Sequence, residues 1–432
     1  MDFKLIPYGD DTYILYLSHS IKYYLISSRN ARLLQNAQPL PHGLAELITE
    51  NSVQRTIVPE AKLGAVGLTL NISNKCNMRC VYCYASKGVY HSKESMMSPE
   101  TAKKAAELFL EHFGALGRIK FFGGEPLLNY KVISEVCELC SDLYRQGRIA
   151  RMPEFNMVTN GTILNDAIFA LINKFDIGVT FSYDGTPQLQ NFLRPLADGG
   201  SSAQIVERNI RRLQRMTDGK KPSNAEITYT KLHEQAGISV RDAVLYVRQQ
   251  LGIQRVSITP VSADCHDPWA LTSCDSFVQA VTDSFDVHQP DLVPKIYGIY
   301  RQLKNGRAAS PLFCGAGINR FSVSAAGDVY PCYLFTDDTE FRIGNIHQFD
   351  LCTYEEKRKS LLRFNRYDTS NCRNCFAARL CNGCSGNNRY LTGKADIPAE
   401  SVCNMLRSVV ERILLEMADR GEIPLLREEH EQ

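Results

Sequence analysis

The sequence predicts an α/β fold in which six parallel strands alternate with helices and close into an open or partial barrel. From Gly67 onwards, short runs of apolar and β-branched residues alternate with amphipathic helical patterns, which is typical of a parallel sheet. The 432 residues suggest two or three domains. Hydrophobic residues make up 44% and charged residues 22% of the chain, an ordinary globular composition with ample material for a core.

Residues 1–60 are predicted to form a small N-terminal α+β unit. Aromatic and β-branched runs separated by turn signals predict strands at Phe3–Tyr8, Thr12–Ser18 and Ile21–Ser27. Helical patterns follow near Asn30–Gln35 and Gly43–Glu50, and Ser52–Leu63 is interpreted as a connector.

The barrel is predicted over residues 64–270. Its strands are expected at Leu68–Ile72, Ile119–Phe122, Phe155–Thr159, Gly178–Ser182, Glu226–Thr230 and Arg255–Thr259. Its helices are expected at Pro99–Phe113, Val132–Arg145, Asp166–Lys174, Ala203–Arg215 and Val240–Gln250. Ser98 as the cap and Pro99 at the first helical position begin the first helix. In such folds the chemistry gathers at the C-terminal ends of the strands.

Beyond the barrel, residues 271–310 are predicted to form a helical bridge, and residues 311–405 form a second cysteine-rich region. Glu400–Arg420 has the pattern of a closing helix, and residues 406–432 are assigned to a C-terminal helix and tail. The net charge of +2 without a basic block argues against a nucleic-acid partner. Since we see no signal peptide and no apolar run of about 20 residues, we expect a soluble cytoplasmic protein without a membrane partner.

The 15 cysteines point to metal or redox chemistry, because a cytosolic chain of this size rarely needs disulfides. Cys76, Cys80 and Cys83 directly follow the first barrel strand with three and then two intervening residues. Three thiolates on one short loop can hold three irons of a [4Fe–4S] cube and leave the fourth iron open. The alternative, a zinc site, fits this spacing poorly because zinc prefers four ligands.

Further motifs follow the next three strands: Phe121–Pro126 (FFGGEP), Thr159–Gly161 (TNG) and Ser182–Gly185 (SYDG). Together with the cysteine loop and the aromatic Tyr84 after it, they resemble the radical SAM (S-adenosylmethionine) superfamily, which builds a partial (βα)6 barrel. The resemblance implies reductive cleavage of SAM to a 5′-deoxyadenosyl radical. It also implies SAM-binding roles for Tyr82, Gly123, Gly124, Glu125, Asn160, Ser182, Asp184 and Arg194. The alternatives are that Asn-Gly and Asp-Gly are simply turns and that Asp184 caps a helix.

The second group of cysteines resembles the SPASM domain, which carries auxiliary [4Fe–4S] clusters. The resemblance implies an outer cluster on Cys372, Cys375, Cys381 and Cys403. It implies an inner cluster on Cys314, Cys332 and Cys384. With the SAM cluster, the expected cofactors are three [4Fe–4S] clusters and SAM.

Two features depart from the SPASM pattern. Two residues separate Cys381 and Cys384, where three are usual, and residues 315–321 contain no eighth cysteine. The inner cluster therefore has either an open iron or a distant ligand, for which Cys265, Cys274 and Cys352 are conceivable. A zinc ribbon is the alternative for the whole region. The remaining pair, Cys137 and Cys140, is interpreted as structural because it lies on one helix face.

Three functions compete for such a chain. The first is modification of a ribosomally made peptide by thioether or other side-chain crosslinks. The second is anaerobic sulfatase maturation, and the third is small-molecule chemistry, or peptide binding and electron transfer alone. Sulfatase maturases carry an Asp after the second SPASM cysteine, where this chain has Tyr333. Phe121–Asn129, Gly327–Phe335 and Phe341–Ile346 are instead similar to thioether-forming maturases of Cys-rich peptides, the SCIFF and ranthipeptide type.

This resemblance implies two partners: a Cys-rich precursor peptide with a leader, and an electron donor of the flavodoxin or ferredoxin type. Three strands followed by helices in residues 1–60 resemble a RiPP recognition element, which captures a leader as an added strand. The alternative is that this unit is a simple packing extension.

Overall fold

A computed structural model describes residues 3–54, 65–90, 92–264, 266–286, 291–361 and 365–426. The chain divides into two compact units. The first unit comprises Met1–Lys62, Ser273–Cys314 and Phe364–Gln432, and the barrel unit comprises Leu63–Thr272 and Gly315–Arg363. Cys265 and most of the predicted connector lie outside the described residues.

The first unit begins with a three-stranded antiparallel sheet in the order β1-β2-β3, followed by two helices. Its strands are β1 (Phe3–Tyr8), β2 (Thr12–Leu17) and β3 (Lys22–Ser27), and its first helices are α1 (Ser28–Gln35) and α2 (His42–Gln54). Leu15, Leu17, Ile26, Ala31 and Leu44 form the buried core between sheet and helices. Residues 52–54, predicted as connector, belong to α2 instead.

The outer edge of β3 is paired with the C-terminal segment of the chain. The backbone N–H of Leu25 donates to the carbonyl of Pro424 at 2.9 Å, and the N–H of Leu426 donates to the carbonyl of Leu25 at 2.9 Å. Leu426 also packs against the core of the small sheet. Residues 424–426 therefore occupy the position that a fourth strand would take.

The barrel unit is organised by a sheet that has nine strands among the described residues. The six predicted barrel strands run parallel in chain order, which confirms the fold class. They are β4 (Gly67–Ser73), β5 (Arg118–Gly123), β6 (Glu154–Thr159), β7 (Gly178–Ser182), β8 (Asn224–Tyr229) and β9 (Val256–Pro260). The alternating helices are α3 (Pro99–Phe113), α4 (Tyr130–Arg145), α5 (Asp166–Lys174), α6 (Pro187–Leu193), α7 (Ala203–Met216), α8 (Lys231–Gln235) and α9 (Val240–Gln250).

Three short strands from the second cysteine-rich region extend this sheet beyond β4. They are β10 (Arg320–Val323), β11 (Asp328–Tyr330) and β12 (Gly344–Asn345). β10 pairs in parallel with β4, whereas β11 and β12 continue antiparallel. Residues 315–363 thus belong to the barrel unit, a division that the predicted domain boundaries did not anticipate.

The remaining helices complete the two units. The first unit contains α10 (Asp275–Asp286), α11 (Pro294–Lys304), α13 (Ser370–Arg373), α14 (Ser385–Thr392) and α15 (Glu400–Asp419), and the barrel unit contains α12 (Leu351–Leu361). Within the described ranges, no helix combines the length and the apolar character needed to cross a bilayer.

The two faces of the barrel sheet differ in chemistry. Alternate strand residues such as Phe121, Phe181 and Ile258 are buried on the outer face. The ring centroids of Phe321 in β10 and Phe109 in α3 lie 5.4 Å apart on this face. The inner face carries partly exposed and mostly polar side chains. These include Thr69, Lys120, Asn156, Thr180, Ser182, Asn224, Glu226, Thr228, Ser257 and Thr259. The sheet therefore presents a polar concave surface beneath the strand ends.

Candidate functional site

The loop that carries Cys76, Cys80 and Cys83 is fixed by main-chain hydrogen bonds to the segment after α6. The N–H of Arg79 donates to the carbonyl of Pro195 at 2.9 Å, and the N–H of Val81 donates to the carbonyl of Leu193 at 3.0 Å. The cysteine loop is thus held against a neighbouring segment at the C-terminal end of the sheet, where parallel α/β folds place their chemistry.

The three thiols lie in a partly buried environment that suits a cluster. Burial, followed by the nearby Glu125, raises the pKa of Cys76 to about 12. Burial also raises the pKa of Cys80 to about 11, although Arg194 opposes the shift. Such thiols stay neutral unless a cation balances their charge, and iron ions supply that charge on ligation. The donor set therefore fits a [4Fe–4S] cluster.

Within the described part of the chain, no three His, Cys, Asp or Glu side chains converge tightly enough to hold a single metal ion. Ligands of a cube each bind a different iron and stand farther apart than the ligands of one ion.

Gly123 and Gly124 allow the end of β5 to pack directly on the cysteine loop. The N–H of Gly124 donates to the carbonyl of Ser73 at 2.7 Å. A Cβ atom on Gly123, whose φ is +136°, would lie 2.3 Å from that carbonyl oxygen, and one on Gly124 would lie 2.4 Å from the carbonyl oxygen of Lys75. Only glycine tolerates both contacts, so the motif brings bare backbone beside the cysteines.

Glu125 is completely buried, and both oxygens of its carboxylate accept hydrogen bonds from the protein. Oε1 accepts from the N–H of Leu127 at 3.0 Å and from the hydroxyl of Thr159 at 2.8 Å. Oε2 accepts from the N–H of Asn160 at 2.8 Å. Burial raises the pKa of Glu125 to about 7, and these three hydrogen bonds oppose that rise. Glu125 therefore ties the end of β5 to the end of β6.

Asn160 connects the end of β6 to the cysteine loop. Its side-chain N–H group donates to the amide oxygen of Asn77 at 2.9 Å and approaches Sγ of Cys76 at 3.8 Å. Its amide oxygen accepts from the N–H and the hydroxyl of Thr162. Both polar atoms of its side chain thus have protein partners in this structure.

Asp184 forms the centre of a buried ionic network. It is fully buried and accepts from Nε of Arg194 at 2.9 Å, from the N–H of Thr228 at 3.0 Å and from the hydroxyl of Tyr82. Arg194 also reaches Sγ of Cys80 at 3.9 Å. Thr186, not Asp184, caps the following helix α6. The network therefore links the cysteine loop to the ends of β7 and β8.

Among the predicted SAM-binding side chains, Ser182 differs from Glu125, Asn160 and Asp184, whose side-chain polar atoms have hydrogen-bond partners within the protein. It is partly exposed at the end of β7 on the inner face, and its hydroxyl has no hydrogen-bond partner among the described residues. Whether Ser182 and the other predicted residues contact SAM stays a prediction.

Sequence reasoning missed two groups beside this site. Asn77, inside the cysteine loop, donates to the hydroxyl of Thr162 at 2.8 Å. Tyr90 is buried, and its hydroxyl donates to the carbonyl of Gly123 at 3.3 Å. Neither belongs to a strand-end motif, so no spacing in the sequence indicated them. A third missed residue, Lys120, lies on the inner face, and the alternation of β5 could have located it.

Cys372, Cys375, Cys381 and Cys403 are close neighbours within the first unit. Burial raises the pKa of Cys372 to about 12, and the Cys381, Cys403 and Cys375 thiols raise it further. Burial raises the pKa of Cys403 to about 11, with Cys381 and Cys375 among its causes. Four thiols in one place, whose ionised forms would repel one another, fit the predicted outer cluster, because iron ions balance that negative charge on ligation.

Arg366 organises the loop that carries these thiols. It is only 1% exposed, and its guanidinium donates to the carbonyls of Ala378 at 2.7 Å, Leu312 at 2.8 Å and Cys381. An arginine buried against carbonyls places positive charge beside the thiols, where it favours their ionised form.

The predicted ligands of the inner cluster belong to both units. Cys314 and Cys384 lie in the first unit, where the Cys314 thiol helps burial to raise the pKa of Cys384, and Cys332 lies in the barrel unit. Cys352 is exposed on α12, and Cys274 precedes α10. The inner cluster and its ligands stay a prediction. Cys137 and Cys140 are buried in α4, as expected of structural cysteines.

Family models match two segments of the chain. Residues 70–221 match the radical SAM superfamily, and residues 314–376 match the SPASM iron–sulfur cluster-binding domain. The chain carries a radical SAM domain and a SPASM domain. SAM binding and an iron–sulfur cluster-binding SPASM domain follow from these two matches. Because the SPASM match ends at residue 376, the placement of Cys381 and Cys403 beside it rests on the geometry above.

Similarity to characterised proteins extends over part of the chain in sequence and over most of it in fold. The radical SAM cyclopropyl synthase TigE of Paramaledivibacter caminithermalis is 30% identical over 156 residues, 33% of this chain and 31% of TigE. The matching segments span less than half the length of the first curated relatives. AnSMEcpe with AdoMet and the Cp18Cys peptide has a similar fold, with TM-score 0.65, 20% identity, and coverage of 82% of this chain and 97% of that one. Streptococcus suis SuiB bound to its precursor peptide SuiA also has a similar fold, with a TM-score of 0.55 and 16% sequence identity. The match covers 93% of this chain and 98% of SuiB.

Proposed function

We propose that this chain is a radical SAM enzyme that modifies a ribosomally made peptide, most simply by forming thioether or other side-chain crosslinks. The observation that carries the proposal is the combination of the Cys76–Cys83 loop with the four-thiol group at Cys372–Cys403 in one chain. The two proteins of similar fold, anSMEcpe and SuiB, were both solved with peptides. The phrases FFGGEPLLN and FRIGNI, similar to those of Cys-rich peptide maturases, support the same substrate class.

When bound, the [4Fe–4S] cluster and SAM supply reductive cleavage of SAM and a 5′-deoxyadenosyl radical that takes a hydrogen atom from the substrate. Cys76, Cys80 and Cys83 would hold that cluster. Gly123 and Gly124 would offer backbone groups to SAM, and Ser182 would offer its hydroxyl. Glu125, Asn160 and Asp184 would hold the strand ends and the cysteine loop in register, since their polar atoms already have protein partners. The polar inner face would receive the substrate residue.

The second cysteine region would carry two auxiliary clusters, three clusters in all. We propose that the inner one leaves an iron open, because residues 315–321 supply no further cysteine. Cys314, Cys332 and Cys384 would hold this cluster, and an open iron in it would supply a binding position that lowers the pKa of a substrate thiol and an acceptor for the electron released as the S–C bond forms. A substrate-free enzyme whose inner cluster is fully ligated by protein would contradict this idea. A flavodoxin- or ferredoxin-type protein would supply the electrons.

Formylglycine formation is the second candidate, since the fold resembles that of anSMEcpe. Its expected Asp is replaced by Tyr333, whose ring packs 4.5 Å from that of Phe122. A tyrosine that packs on Phe122 with the Lys120 ammonium over its ring offers no carboxylate to act as a base. The substitution favours crosslinking over sulfatase maturation. Small-molecule chemistry is the third candidate.

We propose that the three-stranded sheet binds the leader of the precursor peptide as an added strand. Residues 424–426 pair with the outer edge of β3, so a leader would have to displace them there or pair with β1. The alternative, a simple packing extension, predicts no leader affinity at either edge.

Anaerobic co-expression with candidate Cys-rich peptides tests the function. Crosslinking lowers the peptide mass by two hydrogen atoms per bond, and mass spectrometry detects the loss. The matched control is the Cys80→Ala variant, which should leave the peptide mass unchanged. SAM cleavage without any change in a peptide would favour the small-molecule candidate. Iron and sulfide analysis should give about 11–12 iron atoms per chain, whereas about four iron atoms plus zinc would contradict the SPASM clusters.

A further inference from the structure

Lys120, Phe122 and Tyr333 form a cluster on the inner face of the barrel. Ile119 and Phe121 are buried on the outer face, so the alternation of β5 turns Lys120 and Phe122 inward. Nζ of Lys120 lies 4.7 Å from the ring centroid of Phe122 and 5.2 Å from that of Tyr333. The cluster therefore holds one cation over two aromatic rings.

The ammonium of partly exposed Lys120 makes no hydrogen bond or ion pair with the residues that the structure describes. Burial lowers the pKa of Lys120; the Glu226 carboxylate and the Cys332 thiol oppose this, and Arg118 and Arg320 reinforce it. The ring faces stabilise the charged form, and the ammonium has three N–H donors. An oxyanion is the ligand that best satisfies such a group.

The position of Lys120 connects it with both cysteine regions. Gly123, three residues farther along, packs on the loop of the SAM cluster, and Tyr333 follows Cys332. In the sheet register, Lys120 lies between Thr69 and Asn156, which are neutral. Glu226 of β8 is an acidic group that faces this inner surface. A substrate group bound by Lys120 would lie beneath the strand ends, beside the site of hydrogen abstraction.

We propose that Lys120 is a specificity-determining residue that binds a carboxylate of the substrate peptide, supplied by an Asp or Glu side chain close to the residue that is modified. This inference rests on the proposed peptide substrate and narrows it. Phe122 and Tyr333 position the ammonium, and Glu226 repels a second carboxylate from the opposite side. The substrate segment would then carry one acidic residue at this point.

The test uses the reconstituted, anaerobically reduced holoenzyme and N-acetyl-L-aspartate α-amide labelled with 13C in its side-chain carboxyl group. Paramagnetic clusters broaden the 13C signal of a nearby bound probe, so a titration reports binding at this depth of the barrel. The wild type should show saturable broadening, and the neutral asparagine analogue should bind at least roughly tenfold more weakly. Lys120→Met should lose the same factor, whereas Lys120→Arg should retain binding.

The matched control is Lys103→Met, which removes an exposed lysine of α3 and should leave binding unchanged. Glu226→Gln gives a second measurement that does not depend on the Lys120 variants folding, and it should strengthen binding of the aspartate probe. The inference is overturned if the wild type shows no saturable broadening, if both probes bind equally, if Lys120→Met binds like the wild type, or if Glu226→Gln does not strengthen binding. Probe binding is independent of peptide modification, so a failure of the proposed function remains distinguishable.

Discussion

Replacing Asp184 by asparagine tests whether the buried ionic network holds the cysteine loop. The Asp184 side chain is 0% exposed and that of Arg194 is 11% exposed. Asp184→Asn keeps the size of the side chain but removes the charge that balances Arg194. The new amide N–H group must also face a donor, either the Thr228 N–H or the pair formed by Arg194 and Tyr82.

Asp184→Asn should lower the unfolding temperature substantially, because the ion pair that it breaks is buried. Breaking a buried ion pair by neutralising one partner destabilises a protein by about 3–5 kcal/mol. For a domain of this size, each kcal/mol lowers the unfolding temperature by roughly 2–4 °C, so we expect a drop on the order of 10 °C. The matched control is Asp166→Asn, which breaks the pair with Arg212 where the carboxylate is 86% exposed. Exposed pairs contribute about 0–1 kcal/mol, so the control should move the midpoint by a few degrees at most.

Anaerobic calorimetry of both variants measures the midpoints, and iron analysis with electron paramagnetic resonance reports the SAM cluster. Asp184→Asn should also perturb the cluster signal, because Arg194 lies 3.9 Å from Sγ of Cys80. Equal midpoints for the two variants, with an unchanged cluster signal, would refute the assignment of a holding role to Asp184.

Three further predictions concern other parts of the chain. Cys375→Ser should remove about four iron atoms per chain, whereas Cys137→Ser in α4 should remove none; equal iron in both would contradict the outer cluster. His233 is buried, its Nδ1 accepts from the Thr230 N–H, and its Nε2 donates to the Asp184 carbonyl. Burial lowers the pKa of His233, and the charges of Asp184 and Glu234 oppose this shift. The neutral imidazole therefore stabilises the fold above the pKa of the unfolded state, about 6.5, and this stabilisation is lost as the pH falls through the lower pKa of the folded state. The advantage in melting temperature of wild type over His233→Gln should shrink from about pH 8 to about pH 5.5, and a constant difference would contradict the buried neutral imidazole. Ending the chain after Ile423 should speed amide exchange in β3 and leave the central strand β2 unchanged; unchanged exchange in β3 would show that residues 424–426 do not protect it.

The barrel was predictable because its periodic segments are long and repeat the same pattern. The bounds of α3, α5, β7 and α9 agree with the prediction at both ends. β10, β11 and β12 escaped prediction because strands of four, three and two residues carry too little alternation to be recognised. The pairing of β10 with β4 also joins segments about 250 positions apart, which local patterns do not report.

In the candidate site, the positions of the residues were predictable from the sequence, but their hydrogen bonds were not. The spacing of Cys76, Cys80 and Cys83 and the strand-end motifs indicated which residues gather at one edge of the sheet. Their hydrogen bonds were not predictable, because half of the donors to Glu125 and Asp184 are backbone N–H groups, whose direction depends on how the strands and loops pack. The resemblance to a family identifies positions, whereas the direction of each polar atom depends on the packed chain.

This distinction changes how SAM recognition in the site is understood. A side chain that binds a cofactor through its only polar group must keep that group free before binding, or lose a protein contact on binding. Asp184 and Asn160 make their contacts to the cysteine loop, so an exchange of those contacts for SAM would loosen the loop that holds the cluster. The hydroxyl of Ser182 carries no such conflict, whereas the N–H of Gly124 already donates to the carbonyl of Ser73 and the carbonyl of Gly123 already accepts from the hydroxyl of Tyr90. We therefore expect Ser182 to contact SAM directly, while the charged network keeps the three thiols in place.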